Sequence, residues 1–190
     1  SDVCSSDLTL ESIPFSRSPY LKAEKDVASK WGELFLSARR PRIGLVWRAG
    51  SQSEIKGRDV PLSLFGDTLP DIAYVIPLQK EISLEDIEVL CHWTGLADLP
   101  IPQADFADAA GIIANLDLVV SVDTSVAHLA AAMGVETWIL LPRNADWRWL
   151  EGREDSPWYP RVKLYRQSVR GEWLAPVQRL VSDLRRRFDQ

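Results

Sequence analysis

Asn115-Leu116-Asp117-Leu118-Val119-Val120-Ser121-Val122-Asp123-Thr124-Ser125-Val126-Ala127-His128-Leu129-Ala130-Ala131-Ala132-Met133-Gly134, continued by Thr137-Trp138-Ile139-Leu140-Leu141-Pro142, is the stretch from which the fold is read. An apolar, β-branched run of strand length meets a small polar cluster. An alanine-rich turn closed by glycine follows, and then a second apolar run. Two buried strands joined through a helix imply a parallel sheet with helices on its faces. The cluster Asp123 to His128 then lies at the carboxyl end of a strand and the amino end of a helix, where open α/β sheets bind ligands.

Working outward, the chain supplies more units of the same kind. Tyr20 to Ala38 spaces Leu21, Val27, Trp31, Leu34 and Phe35 as an amphipathic helix ended by Arg39-Arg40-Pro41. Arg42 to Trp47 reads as a buried first strand. The long polar loop Arg48 to Asp59 follows, closed by a short helix at Val60-Pro61-Leu62, and a loop of that length at a strand end is more often a binding loop than a plain connection. Ala73 to Leu78 is a second strand delivering Gln79 and Lys80 to the same edge. Glu81 to Leu90 reads as helix, Cys91-His92-Trp93 as a brief strand, and Ala104 to Ala114 as the helix leading into the opening stretch. A loop from Arg143 to Pro160, a strand Val162 to Tyr165 and an amphipathic helix Trp173 to Phe188 complete the order, with basic residues in the last turns suiting the helix dipole. The expected architecture is one doubly wound, Rossmann-like parallel sheet of about five or six strands with flanking helices.

Composition bounds the function. The 190 residues suffice for one α/β domain. The net charge of −5 argues against nucleic-acid binding. No apolar run approaches the roughly 18 residues of a membrane helix. Only Cys4 and Cys91 are present, so no disulfide framework arises, and a reducing, cytoplasmic location is expected. Cys91 and His92 lack metal-ligand spacing and are assigned to packing. No Gly-x-Gly-x-x-Gly or Walker phosphate loop occurs, which removes support from nicotinamide and ATP-hydrolysing functions. Residues 1–8 have no signal-peptide character and resemble a sequencing adapter translated in frame. The expectation is therefore a non-native tail at 1–8, a Ser/Pro-rich linker at 9–19 and one domain at 20–190.

Seven blocks carry a family resemblance: Pro19-Tyr20-Leu21, Ile43 to Trp47, Arg58 to Leu62, Leu78-Gln79-Lys80, Asp105 to Asp108, Ser121 to His128, and Asp146 to Trp149 with Ser156 to Pro160. In that order they resemble the carboxyl-terminal, donor-binding half of a GT-B glycosyltransferase. The nearest likeness is to the heptosyltransferase-like family nine and the related enzymes with amino-terminal tetratricopeptide repeats. The resemblance implies hexosyl or heptosyl transfer from a nucleoside-diphosphate sugar without a bound metal or other cofactor. It also implies an acceptor-binding amino-terminal half outside this stretch, so the fragment alone is expected to be inactive. One departure is local: these enzymes place glycine soon after the tryptophan and a histidine or asparagine in the loop, where this chain has Arg48-Ala49-Gly50 and Ser53-Glu54.

The chemistry matches residue types. A departing diphosphate needs donors, and the amides of Thr124, Ser125 and Val126 lie where a helix start leaves N–H groups unpaired. His128, one turn after Thr124, could reach the same anion. Arg58, with Lys56 beside it, would supply the cationic clamp, a role the resemblance also gives a basic residue in that loop. Gln79 is a further nucleotide contact to consider. Each has a plainer alternative. Asp123 reads first as the helix N-cap and only second as a ligand, since a carboxylate repels phosphate. His128 could be a hydrogen-bonded core histidine, and Arg58 and Lys56 a solvated face. Trp147, Trp149 and Trp158 could line a base or sugar pocket or simply pack. The contrasting function is a non-catalytic module keeping the fold for nucleotide sensing or partner binding.

Overall fold

The computed structural model describes residues 9–10, 12–13, 18–50, 57–66, 68–97 and 103–188. Five parallel strands form one sheet: β1 (Arg42–Val46), β2 (Tyr74–Pro77), β3 (Leu118–Val122), β4 (Thr137–Leu141) and β5 (Val162–Arg166), in the order β2-β1-β3-β4-β5. In register, Gly44 of β1 faces Ile76 of β2 on one side and Val119 of β3 on the other. Every residue of β3 and β4 is buried, because helices cover both faces and continuous apolar strands are then stable. Gly44 is required by closeness: a Cβ there would stand 2.6 Å from Leu116 and 2.7 Å from Leu78.

The helices are α1 (Lys25–Leu34), α2 (Thr68–Ile72), α3 (Leu84–Leu90), α4 (Phe106–Ile113), α5 (Ser125–Ala132) and α6 (Leu174–Phe188), with 3-10 turns at Leu62–Phe65 and Trp147–Trp149. On one side α1 packs on α4 and α4 on α5. Trp31 in that contact is buried and donates its indole N–H to Asp108 (3.1 Å). Elsewhere α6 packs on α2, on the 3-10 turn at Leu62 and on β4 and β5, burying Val177, Leu180 and Leu184. A buried Asp183 ties it to β5 by accepting from Lys163 Nζ (2.5 Å) and Tyr165 Oη (2.9 Å). With Asp183 as acceptor in a buried setting, the Tyr165 phenol is pushed up in pKa, burial being the larger cause.

The α/β class and the single parallel sheet stand as read. Two local expectations do not. Cys91-His92-Trp93 is a turn after α3 rather than a strand, and the extra pairing with β2 comes from Leu96, bridged to Val75. Cys91 and His92 are exposed instead of packed, while Trp93 takes the buried position. Residues 1–8 lie outside the described residues.

Candidate functional site

Order β2-β1-β3 makes the chain leave β1 toward one edge and return to β1's other side as β3. The loops after β1 and β3 therefore part at their carboxyl ends, which opens a crevice at a topological switch point. Arg58 arrives from the first loop, and Asp123, Thr124 and Ser125 from the second. Arg58 donates from Nη1 to the Asp123 carbonyl (3.1 Å) and pairs through Nη2 with Asp123 Oδ2 (3.2 Å). Its Nε is buried and has no hydrogen-bond partner. The fold brings these two side chains together from opposite sides of the crevice, a pairing that the sequence reading did not contain.

Asp123 does not cap α5. The N-cap is Thr124, extended at φ −141° and ψ 168°, and no side chain caps the helix. Thr124 Oγ1 instead meets Ser121 Oγ (3.1 Å). The contrast lies in the neighbouring elements, where Ser83 caps α3, Asp105 caps α4 and Asp146 caps the turn at Trp147. The Asp123 carboxylate is turned to Arg58 and His128 instead, since an opposite charge within reach outweighs a cap. Burial, the largest single influence, raises its pKa. His128, Arg58 and the Trp149 indole lower it more, and the net position is below the ordinary carboxylate range. Trp149 Nε1 acts at a distance, for it has no acceptor in hydrogen-bonding geometry.

His128 sits one turn into α5. Its Nε2 stands 3.6 Å from Asp123 Oδ1, and its Nδ1 is 2.9 Å from Tyr159 Oη. Trp149 stacks on the imidazole with ring centres 5.0 Å apart and planes 19° from parallel. Trp149 and Tyr159 were legible only as aromatics of a loop; nothing in their spacing revealed that both would close on one histidine. Trp147, from the same 3-10 turn, is exposed, with its edge against Trp158.

The remaining expected residues fall around this centre. Ser125 and Val126 line a groove of about 360 Å³ with Leu78, Lys80, Phe106 and Ala109. Gln79 is occupied: its Oε1 accepts from the Arg48 amide (3.0 Å), so it shapes the first loop. Arg48, the departure from the family pattern, pairs with buried Asp86 (3.1 Å). Asp59 closes the loop by accepting from Ala49 N (2.9 Å). Lys56, Ser53 and Glu54 lie outside the described residues. Among the described residues, no group of three or more His, Cys, Asp or Glu side chains gathers as a metal site, and no helix is long and apolar enough to cross a membrane.

A doubly wound α/β domain, with an uncapped helix start and a fixed arginine at its switch point, is the class defined by fold and site. Residues 78–139 match the model of glycosyltransferase family 9 (heptosyltransferase), the family whose resemblance the motifs carry. The chain is also similar to protein FlbA of Caulobacter vibrioides, at 27% identity over 187 residues, covering 93% of this chain and 30% of FlbA. It thus spans under a third of the length of that relative. No solved structure matches it. The matched segment runs from the end of β2 to β4 and so includes α5 with Asp123, Thr124, Ser125 and His128.

Proposed function

We propose that this domain holds the nucleoside-diphosphate sugar of a metal-independent glycosyltransferase. The observation carrying the proposal is the bare amino end of α5 opening onto the crevice beside Arg58. Its amides and dipole favour an anion, and a guanidinium stands at the same point. Leu78, Phe106, Ala109 and Val126 give the adjoining groove apolar walls suited to a nucleoside, with Lys80 at its edge. In the reaction the bond from the sugar's anomeric carbon to the diphosphate breaks as a bond to the acceptor oxygen forms. The diphosphate takes the electron pair, and the α5 amides, Arg58 and His128 stabilise the charge as it develops. Asp123 fixes the arginine and histidine and leaves the anion to them. The acceptor and the base that takes its proton are assigned to a partner domain outside this stretch, so the 190 residues bind donor without transferring sugar.

Thermal-shift measurements with ADP-, UDP-, GDP- and dTDP-sugars test this. Ligand at a hundred times its Kd adds about 2.7 kcal/mol of stability, a readily measured shift. Stabilisation by one nucleotide class, lost in Arg58→Ala and His128→Ala, is expected. No stabilisation by any of the four would move the assignment to a non-catalytic module that keeps the fold for other partners.

A further inference from the structure

We infer that Tyr159 is a positioning residue that keeps the His128 ring in its Nε2–H form, so that this N–H points into the anion site as a donor not yet spent. The inference rests on the function proposed above and extends it to a residue with no assigned role.

Three contacts fix the imidazole. Trp149 stacks on one face and sets the plane of the ring. Tyr159 Oη, at 2.9 Å from Nδ1, sets its rotation and occupies that nitrogen. Asp123 Oδ1 stands on the Nε2 side at 3.6 Å. An ionised carboxylate accepts only and so favours the proton of a neutral ring on Nε2, but at 3.6 Å it holds it weakly, and a phenol donating to Nδ1 completes the hold. Nδ1 is then an acceptor, and the phenol must be the donor. Burial raises the Tyr159 pKa, which keeps the phenol protonated. At 3.6 Å the Nε2–H is attracted by Asp123 without a normal hydrogen bond, since such bonds close at about 2.7 to 3.2 Å. A phosphate oxygen arriving at the α5 start can take it without breaking a strong bond.

The Pro19-Tyr20-Leu21 block gains a purpose from the same geometry. Tyr20 N and Leu21 N both donate to the Ala132 carbonyl at the end of α5 (3.0 and 3.2 Å). That anchorage sets the Tyr20 phenol near Tyr159, whose hydroxyl meets His128. Tyrosine, tyrosine, histidine and aspartate form one line from the entry of the domain to the crevice.

Only two histidines are present, so long-range proton–nitrogen NMR of the 190-residue chain resolves both rings, with exposed His92 as internal control. The expected wild-type spectrum shows His128 in the Nε2–H form. In Tyr159→Phe, His128 should become a mixture of tautomers while His92 stays unchanged, and Tyr20→Phe should produce a smaller change of the same kind. Affinity for the stabilising nucleotide should fall about three- to tenfold in Tyr159→Phe. An Nδ1–H form in the unmodified protein overturns the inference, and this outcome needs no variant to fold. A His128 spectrum identical in wild type and Tyr159→Phe overturns it too. The spectra require no nucleotide, so a failure of donor binding is distinguished from a failure of the tyrosine's role.

Discussion

Asp123 shows how one buried charge can organise the side chains around a crevice. It faces Arg58 and His128 and is almost wholly buried. Removing it leaves Arg58, among the described residues, with only the backbone carbonyl of position 123 as partner, and breaking a buried pair from one side commonly costs about 3 to 5 kcal/mol. Urea unfolding of Asp123→Ala should show a loss near the lower end of that range. The same carboxylate gives an acid limb to stability. Its folded pKa lies below the unfolded value of about 3.9, so its contribution is complete above that pH and disappears as pH falls toward the folded value. Asp123→Asn should flatten the stability profile below about pH 4, as read by unfolding midpoints across pH. Arg58 is the complementary case. If the proposed transferase activity is assayed in a longer chain that includes this domain, Arg58→Ala should lower kcat by about 10² to 10³, the usual effect of removing a donor to developing negative charge.

At the scale of elements, α6 and α5 behave differently because one is held by packing and the other by its ends. Leu180 is fully buried in the face of α6 that covers the sheet. Leu180→Ala should therefore cost about 2 to 5 kcal/mol in equilibrium unfolding. By contrast, α5 has only eight residues and depends on closure: Val135 N reaches Ala130 O (3.1 Å), Gly134 N reaches Ala131 O (3.0 Å), and Gly134 takes φ +76°. Pro19 lies against the position of a Gly134 Cβ, so even alanine there is both strained and crowded. The strands and α4, α5 and α6 were legible because their apolar period is clear, with Asp105 capping α4 and Gly134 stopping α5. Elsewhere the cues were ambiguous. Cys91-His92-Trp93 has the composition of a strand, yet its single buried residue is served by a turn. Asp123 satisfies every local rule for an N-cap, and a cation 65 positions away in sequence, Arg58, overrides them. Local propensity carries no record of such a partner.

For the whole molecule, the sheet order decides where function can sit. Helices cover both faces of β3 and β4, and the carboxyl ends of β1 and β3 diverge, so the crevice is formed by loops resting on the most buried strands. Hydrogen exchange should follow that division: amides of Leu118–Val122 and Thr137–Leu141 exchanging slowest, near the global limit, and those at the open start of α5 fastest among helical positions. Addition of the stabilising nucleotide should slow Ser125 and Val126 selectively. Exchange at those amides unaltered by a nucleotide that raises the melting temperature would place its binding elsewhere. The eight tryptophans are distributed by the same logic. Trp47 and Trp149 are enclosed in the core, whereas Trp147 lies open at the site's edge.

The Ala132 carbonyl receives two amides of the incoming segment, and Pro19 rests against Gly134 just beyond it. The last turn of α5 is therefore the mooring of the polypeptide where it enters the domain, and its first turn is the proposed anion site. Tension on the chain upstream of Tyr20 bears on that one carbonyl and is delivered to the helix that carries His128. A tether, fusion or surface attachment made ahead of Pro19 is consequently a mechanical perturbation of ligand binding at the other end of α5.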